Sequence, residues 1–276
     1  MKAPQPKNNT GKVSGLPLWG AVLGLAVFLP PPSFAQIEGR HTNAAAVCLE
    51  YDRNTQLTEP QKLAARLLAD LGEMLPVLPW ILDDYHSSQP EICIDDRPIS
   101  ARGYLDVERN LIGLKSTLNY DEMLVILIHE LQHLRQFESG YCPSNDVSMQ
   151  ANARAVFAIE ADAMANTALI AWAFRQQGND RLWGVMSNWE KYSDIAEKFE
   201  AEIISSSDLG KAAAAAFQQW YNSEWRKDSY YISSCSDYLD RLDASKLLPS
   251  YKTLPGDYLE QLCKLPDGQP YPCRVD

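Results

Sequence analysis

Between Met123 and Leu134 the apolar residues Met123, Leu124, Leu127, Ile128, Leu131 and Leu134 recur at helical steps, and the pentapeptide His129-Glu130-Leu131-Gln132-His133 stands inside that stripe. The spacing predicts a helix that runs into Gly140 as its stop signal. At 3.6 residues per turn, His129 and His133 fall on one face a turn apart, so both imidazoles can reach a single cation. Glu130 is turned about 100° from His129, which keeps it out of the ligand set but near a water that the cation would activate. Leu124, Leu127, Leu131 and Leu134 can face a core while the histidines ride the edge of the stripe. A helix with only a packing role gains nothing from two imidazoles there, and the same letters in a loop would not align the rings.

A zinc site with an open catalytic position takes three protein ligands. Ile159-Glu160-Ala161-Asp162-Ala163 begins the next chemistry-bearing stretch, with Glu160 lying 27 residues beyond His133 in an Ala-rich segment expected to be helical from about 148 to 177. Ala158, Ala161, Ala163 and Ala165 are small enough to let two helices approach closely, so Glu160 is the expected third ligand. A lone Glu is ordinarily a solvated helix residue; the upstream histidine pair tips the balance. Asp162 is placed to accept a histidine N–H from behind the ligands, or to replace Glu160. Glu138 follows His133 by five residues, about 140° past a full turn, and cannot share the face.

The rest of the pattern is α+β. Thr58-Glu59-Pro60-Gln61 has the form of a capping box, and Leu63, Leu67, Leu68, Leu71 and Leu75 make the amphipathic helix after it, stopped by Pro76 and Pro79. Glu91–Asp95 reads as a short strand, and Ala101–Leu105 with Asn110–Leu114 as a hairpin. Beyond the histidine helix and the 148–177 helix, further helices are expected at 180–205, 208–226 and 236–247. No internal repeat is present.

Residues 1–35 are set aside before any fold reasoning. Lys2, Lys7 and Lys12 precede an apolar run from Leu16 to Leu29, and Ser33-Phe34-Ala35 offers small residues at the positions a signal peptidase reads, so cleavage is expected after Ala35. The run is shorter than the ~20 residues of a membrane span, and Pro30, Pro31 and Pro32 end it. Ile37-Glu38-Gly39-Arg40 has the form of a protease-tag site. The whole chain has 25 basic against 36 acidic residues, a net charge of −11, and without its first 35 residues it carries 22 against 36, about −14. Such a chain is repelled by nucleic-acid phosphate and anionic lipid. Export also suits its six cysteines, Cys48, Cys93, Cys142, Cys235, Cys263 and Cys273, most simply three disulfides among fifteen possible pairings. A crosslink would be the natural restraint for the Pro-rich tail that holds Cys263 and Cys273. The expected plan is a signal peptide over 1–35, a core over 36–178, and a helical extension with a disulfide-bearing tail over 179–276, packed on that core.

His129-Glu130-x-x-His133 followed by Glu160-Ala161-Asp162-Ala163 resembles the gluzincin metallopeptidases, in particular small exported bacterial metallopeptidases of that kind. The strands Gly103-Tyr104-Leu105 and Asn110–Leu114 are similar to the strand pair that precedes the active-site helix of minimal zincins. The resemblance covers about residues 55–175. It implies a supporting helix, a small twisted sheet, an active-site helix and a glutamate-bearing helix, with additional C-terminal helices outside the pattern. One departure is Met164, where many gluzincins carry an acid four residues after the ligand glutamate. The resemblance implies Zn2+ on His129, His133 and Glu160, Glu130 as general base, a peptide or protein substrate, and a secreted or periplasmic location. Asn110–Leu114 is expected to be the strand edge that pairs with substrate. Tyr141, Tyr221, Tyr230 and Tyr231 are all candidates for a phenol that meets the oxyanion. Two other readings stay open: a zinc-binding protein without turnover, and a disulfide-braced interaction protein with a partner surface of Trp183, Trp189, Trp220 and Trp225.

Overall fold

Alternation along Glu91–Asp95 sends Ile92 and Ile94 to one side and Cys93 and Asp95 to the other, and the protein uses both sides. The computed structural model describes residues 46–49, 56–73, 85, 87–98 and 100–275. The expected signal segment, Ile37–Arg40, Leu75, Pro76 and Pro79 lie outside these residues. Strands β1 (Ala46–Cys48), β2 (Glu91–Asp95), β3 (Gly103–Asp106) and β4 (Leu111–Lys115) form a mixed sheet in the order β1-β2-β4-β3. β1 is antiparallel to β2 and β2 parallel to β4, while β3 and β4 make the expected hairpin. Asn110 closes its turn at φ +52°, a left-handed conformation that Asn tolerates.

This order corrects the expected substrate edge. β2 comes earlier in the chain and runs along β4, pairing Glu91 with Leu111 through Asp95 with Lys115, so β4 is paired on both sides. Among the described residues, the end strand on the hairpin side is β3.

Ile92, Ile94, Leu105, Ile112 and Leu114 join the main core, while Cys93, Tyr104 and Leu111 form a small apolar cluster of their own on the other face. There the Cys48–Cys93 disulfide staples β1 to β2. The Tyr104 ring lies over Gly113, and its hydroxyl donates to Asp95 Oδ2 at 2.8 Å.

Helix α1 (Glu59–Glu73) buries Ala64, Leu67 and Leu71. Gln61 accepts from the Thr58 N–H at 2.9 Å, half of the expected capping box, and its amide donates to the Cys48 carbonyl at 3.0 Å, tying α1 to the sheet. Helix α2 (Tyr120–Glu138) opens on a reciprocal capping box between Asn119 and Glu122, and Gly140 follows its end at φ +89°. Helix α3 (Met149–Arg175) opens on Ser148, whose side chain accepts from the Ala151 N–H. By length and composition alone α3 could cross a membrane, but 94% of its most apolar window is buried inside the fold. It is apolar all round because other helices surround it.

Those helices are α4 (Arg181–Asn188), α5 (Ser193–Ser206), α6 (Leu209–Tyr221), α7 (Glu224–Ser245) and α8 (Tyr258–Leu262). Their boundaries correct the expected ones. The helix expected at 180–205 is broken at Trp189–Tyr192, the one expected at 208–226 ends at Tyr221, and that at 236–247 is the second half of a helix begun at Glu224. One buried side chain makes both breaks tolerable. The Arg226 guanidinium donates to the carbonyls of Lys191, Gln219 and Trp220 at 2.8 to 2.9 Å and to both Asp194 carboxylate oxygens. Carbonyls orphaned at helix ends thereby find a donor without water.

The tryptophans turn inward: Trp183, Trp189 and Trp220 are buried and Trp225 packs half-buried on the same core. The partner surface expected of them is therefore not formed. The main core runs without interruption from Leu49 to Tyr271, across position 178. Of the three expected disulfides two exist, Cys48–Cys93 and Cys263–Cys273. Cys142 and Cys235 are unbonded, the first directed at the Phe137 carbonyl and the second lying against Tyr231. The architecture is α+β, with a small sheet in the first half and helices filling the second.

Candidate metal centre

The small residues of α3 let it pass close to α2, and the crossing brings three donors together. His129 Nε2 and His133 Nε2 stand 3.0 Å apart. Glu160 Oε2 is 3.6 Å from the first and its Oε1 is 3.5 Å from the second. Ligand atoms held ~2.0–2.1 Å from a tetrahedral zinc stand roughly 3.3 Å from one another, so the donor set fits a cation at its centre. His129 is 1% exposed and Glu130, His133 and Glu160 are 0% exposed. Glu160 has no donor at close hydrogen-bond distance, its nearest imidazole nitrogens standing 3.5 and 3.6 Å away, and neither oxygen of Glu130 has a donor. Buried carboxylates without donors are costly, and a cation among these groups removes that cost.

Burial alone would raise the Glu160 pKa, but the attraction of His133 and the two imidazole N–H groups outweigh it and hold the carboxylate ionised. Burial lowers the His129 pKa, and the charge of His133 lowers it further. His133 is held up against its own burial, chiefly by Glu160. Glu130, buried beside them, has its carboxyl pushed up to about 8.

Residues 41–273 match a family described as Putative metallopeptidase family (DUF6782). The chain belongs to that family. No curated protein and no solved structure matches the chain. In this DUF6782 protein, His129, His133 and Glu160 form a group that could hold a metal ion. A second grouping, Cys48, Glu91 and Cys93, has both sulfurs consumed in a disulfide.

Around the DUF6782 centre the structure adds residues that the sequence did not single out. His133 Nδ1 meets Gln136 Oε1 at 2.8 Å, and Gln136 Nε2 donates to Asp162 Oδ2 at 2.7 Å. Asp162 thus stands behind the ligands as expected, but reaches histidine only through Gln136, because the amide fills the space between them. Gln136 lies three residues after His133 and was legible as a same-face neighbour. Tyr271, which donates to Asp162 Oδ1 at 2.7 Å, carries no such signal.

On the other side, Gly103 brings β3 against α2: a Cβ there would stand 3.1 Å from Glu130 Oε1 and 2.3 Å from Ile126 Cγ2. Of the four candidate tyrosines, Tyr230 is buried next to Glu160. Burial first, and then that carboxylate's charge, push its phenol well above the ordinary value. Tyr192 meets it at 3.4 Å between hydroxyls. Tyr141 packs on Tyr258 and Tyr221 on Phe157, while Tyr231 is 45% exposed.

Proposed function

We propose that the protein is an exported zinc-dependent peptidase of the gluzincin type, with His129, His133 and Glu160 as metal ligands and Glu130 as general base. The observation that carries this reading is the convergence of three buried donors at ligand spacing, with no donor at close hydrogen-bond distance to either Glu160 oxygen. Bound zinc supplies Lewis acidity toward a carbonyl oxygen and lowers the pKa of a water. Glu130 takes that water's proton during attack and delivers it to the leaving amine. Its ionised form is favoured by any cation beside it, against the burial that otherwise keeps it protonated. Tyr230 is the phenol assigned to the developing oxyanion. Gly103 lets β3 run close to Glu130 beside the proposed cleft. Two disulfides and the basic-then-apolar N-terminus support export.

The second reading, a metal site without turnover, draws on one observation: the site residues are closed off from solvent. The test is the zinc content of the purified, oxidised protein together with peptide hydrolysis by wild type and Glu130→Gln. About one zinc per chain in both, with hydrolysis lowered by 10²-fold or more in the variant, supports the peptidase. Zinc without hydrolysis in wild type favours the second reading. A chain that takes up no zinc from a stoichiometric supply overturns both.

A further inference from the structure

We propose that the disulfide-closed C-terminal loop, Cys263–Cys273, positions the metal ligand His133 through a buried relay of Tyr271, Asp162 and Gln136. The proposal rests on the metal-centre reading above.

Hydrogen-bond polarity sets the relay's direction. Gln136 Nε2 donates to the Ile159 carbonyl at 3.0 Å, a group that can only accept, and to Asp162 Oδ2 at 2.7 Å. The Gln136 Oε1 must therefore be the atom facing His133, and His133 Nδ1, 2.8 Å away, must be the donor. With its proton held on Nδ1, His133 leaves the Nε2 lone pair for the metal. A neutral amide, unlike a carboxylate in direct contact, cannot take that proton. It fixes the tautomer and the ring plane together.

Asp162 is itself held from the C-terminal tail. Tyr271 donates to its Oδ1 at 2.7 Å, and Asn166 Nδ2 reaches the same oxygen at 3.1 Å and the Lys264 carbonyl at 3.3 Å. Tyr271 and Lys264 both belong to the loop that the disulfide closes, and the Tyr271 N–H donates to the Cys263 carbonyl at 3.1 Å. Residues 263–275 form no helix, and only an isolated bridge between Lys264 and Pro270 pairs them. The crosslink adds to these contacts, and to the Arg135 donation to the Leu265 carbonyl at 3.3 Å, by removing open conformations that an uncrosslinked tail would sample.

The experiment measures metal affinity by chelator competition, and the ligand-field spectrum of the cobalt-substituted protein, for wild type, Gln136→Leu, Tyr271→Phe and the double variant Cys263→Ser/Cys273→Ser. Gln136→Leu should weaken metal binding by about 10- to 100-fold, the usual effect of removing a group that orients a ligand. Tyr271→Phe keeps the ring packed on Phe217 and should fold; it and the cysteine double variant should each weaken binding several-fold and shift the cobalt spectrum. Combining Tyr271→Phe with the cysteine pair should add little, because both act through Asp162. A tail with only a structural role would lower unfolding stability and leave affinity and spectrum alone. That result, or a Gln136→Leu protein with wild-type affinity, overturns the relay while leaving the metal centre standing. A wild type that binds neither zinc nor cobalt overturns the metal-centre reading and the relay with it.

Discussion

Two glycines show how closely single positions are fitted. A Cβ on Gly113 would stand 2.3 Å from the Tyr104 ring, which cannot withdraw because its hydroxyl is bonded to Asp95 and Arg97. Gly113→Ala should therefore cost about 1–3 kcal/mol, the range for overpacking, read as a lower urea midpoint with metal content unchanged, since Tyr104 lies on the sheet face away from α2. Gly103→Ala should cost a similar amount by its contact with Ile126, and unlike Gly113→Ala should also depress hydrolysis by displacing Glu130. At this scale the sequence was informative where the chemistry is local. His129, Glu130 and His133 are related by helix geometry alone, and Glu160 could be picked out by its Ala-rich surroundings. Tyr230 could only be named among four tyrosines, and Tyr271 not at all, because the contacts that give them meaning join residues far apart in the chain.

Elements were legible in proportion to their own signals. α2 and α3 carry caps, stripes and closing glycines, and fall where periodicity puts them. The breaks at Trp189–Tyr192 and after Tyr221 contain neither Gly nor Pro and depend on Arg226, a residue whose burial no local pattern announces. The interior place of β4 was equally hidden, since strand order is a long-range property. The Arg226 junction has a pH signature. Burial works against charge on Asp194, but hydrogen bonds from Arg226 and Gln219 outweigh it and hold the folded pKa below the ordinary value. Its contribution is thus fully present above the unfolded value of about 3.9 and is lost as pH falls through the lower folded value. Thermal melts should show wild type clearly above Asp194→Asn at neutral pH and the two converging below about pH 4. A gap that persists undiminished into acid would assign the effect to packing instead of charge.

Across the whole molecule, α3 touches α2, α4, α5, α6, α7 and α8, and the core it organises crosses position 178 without a seam. Residues 179–276 bring Tyr192, Tyr230 and Tyr271 to the centre that α2 and α3 begin. A chain ended after Gly178 should therefore show no cooperative urea transition and retain no zinc; a truncated protein that melts sharply and holds the metal would make 36–178 an autonomous domain. The same arrangement bears on timing. Tyr271 follows Asp162 by 109 residues, so a chain made from its N-terminus displays both histidines and Glu160 long before the hydroxyl that completes the proposed relay exists, and the crosslink beside it forms later still, on meeting an oxidant. A metal centre that depends on this relay is then completed last, after the whole chain has been made.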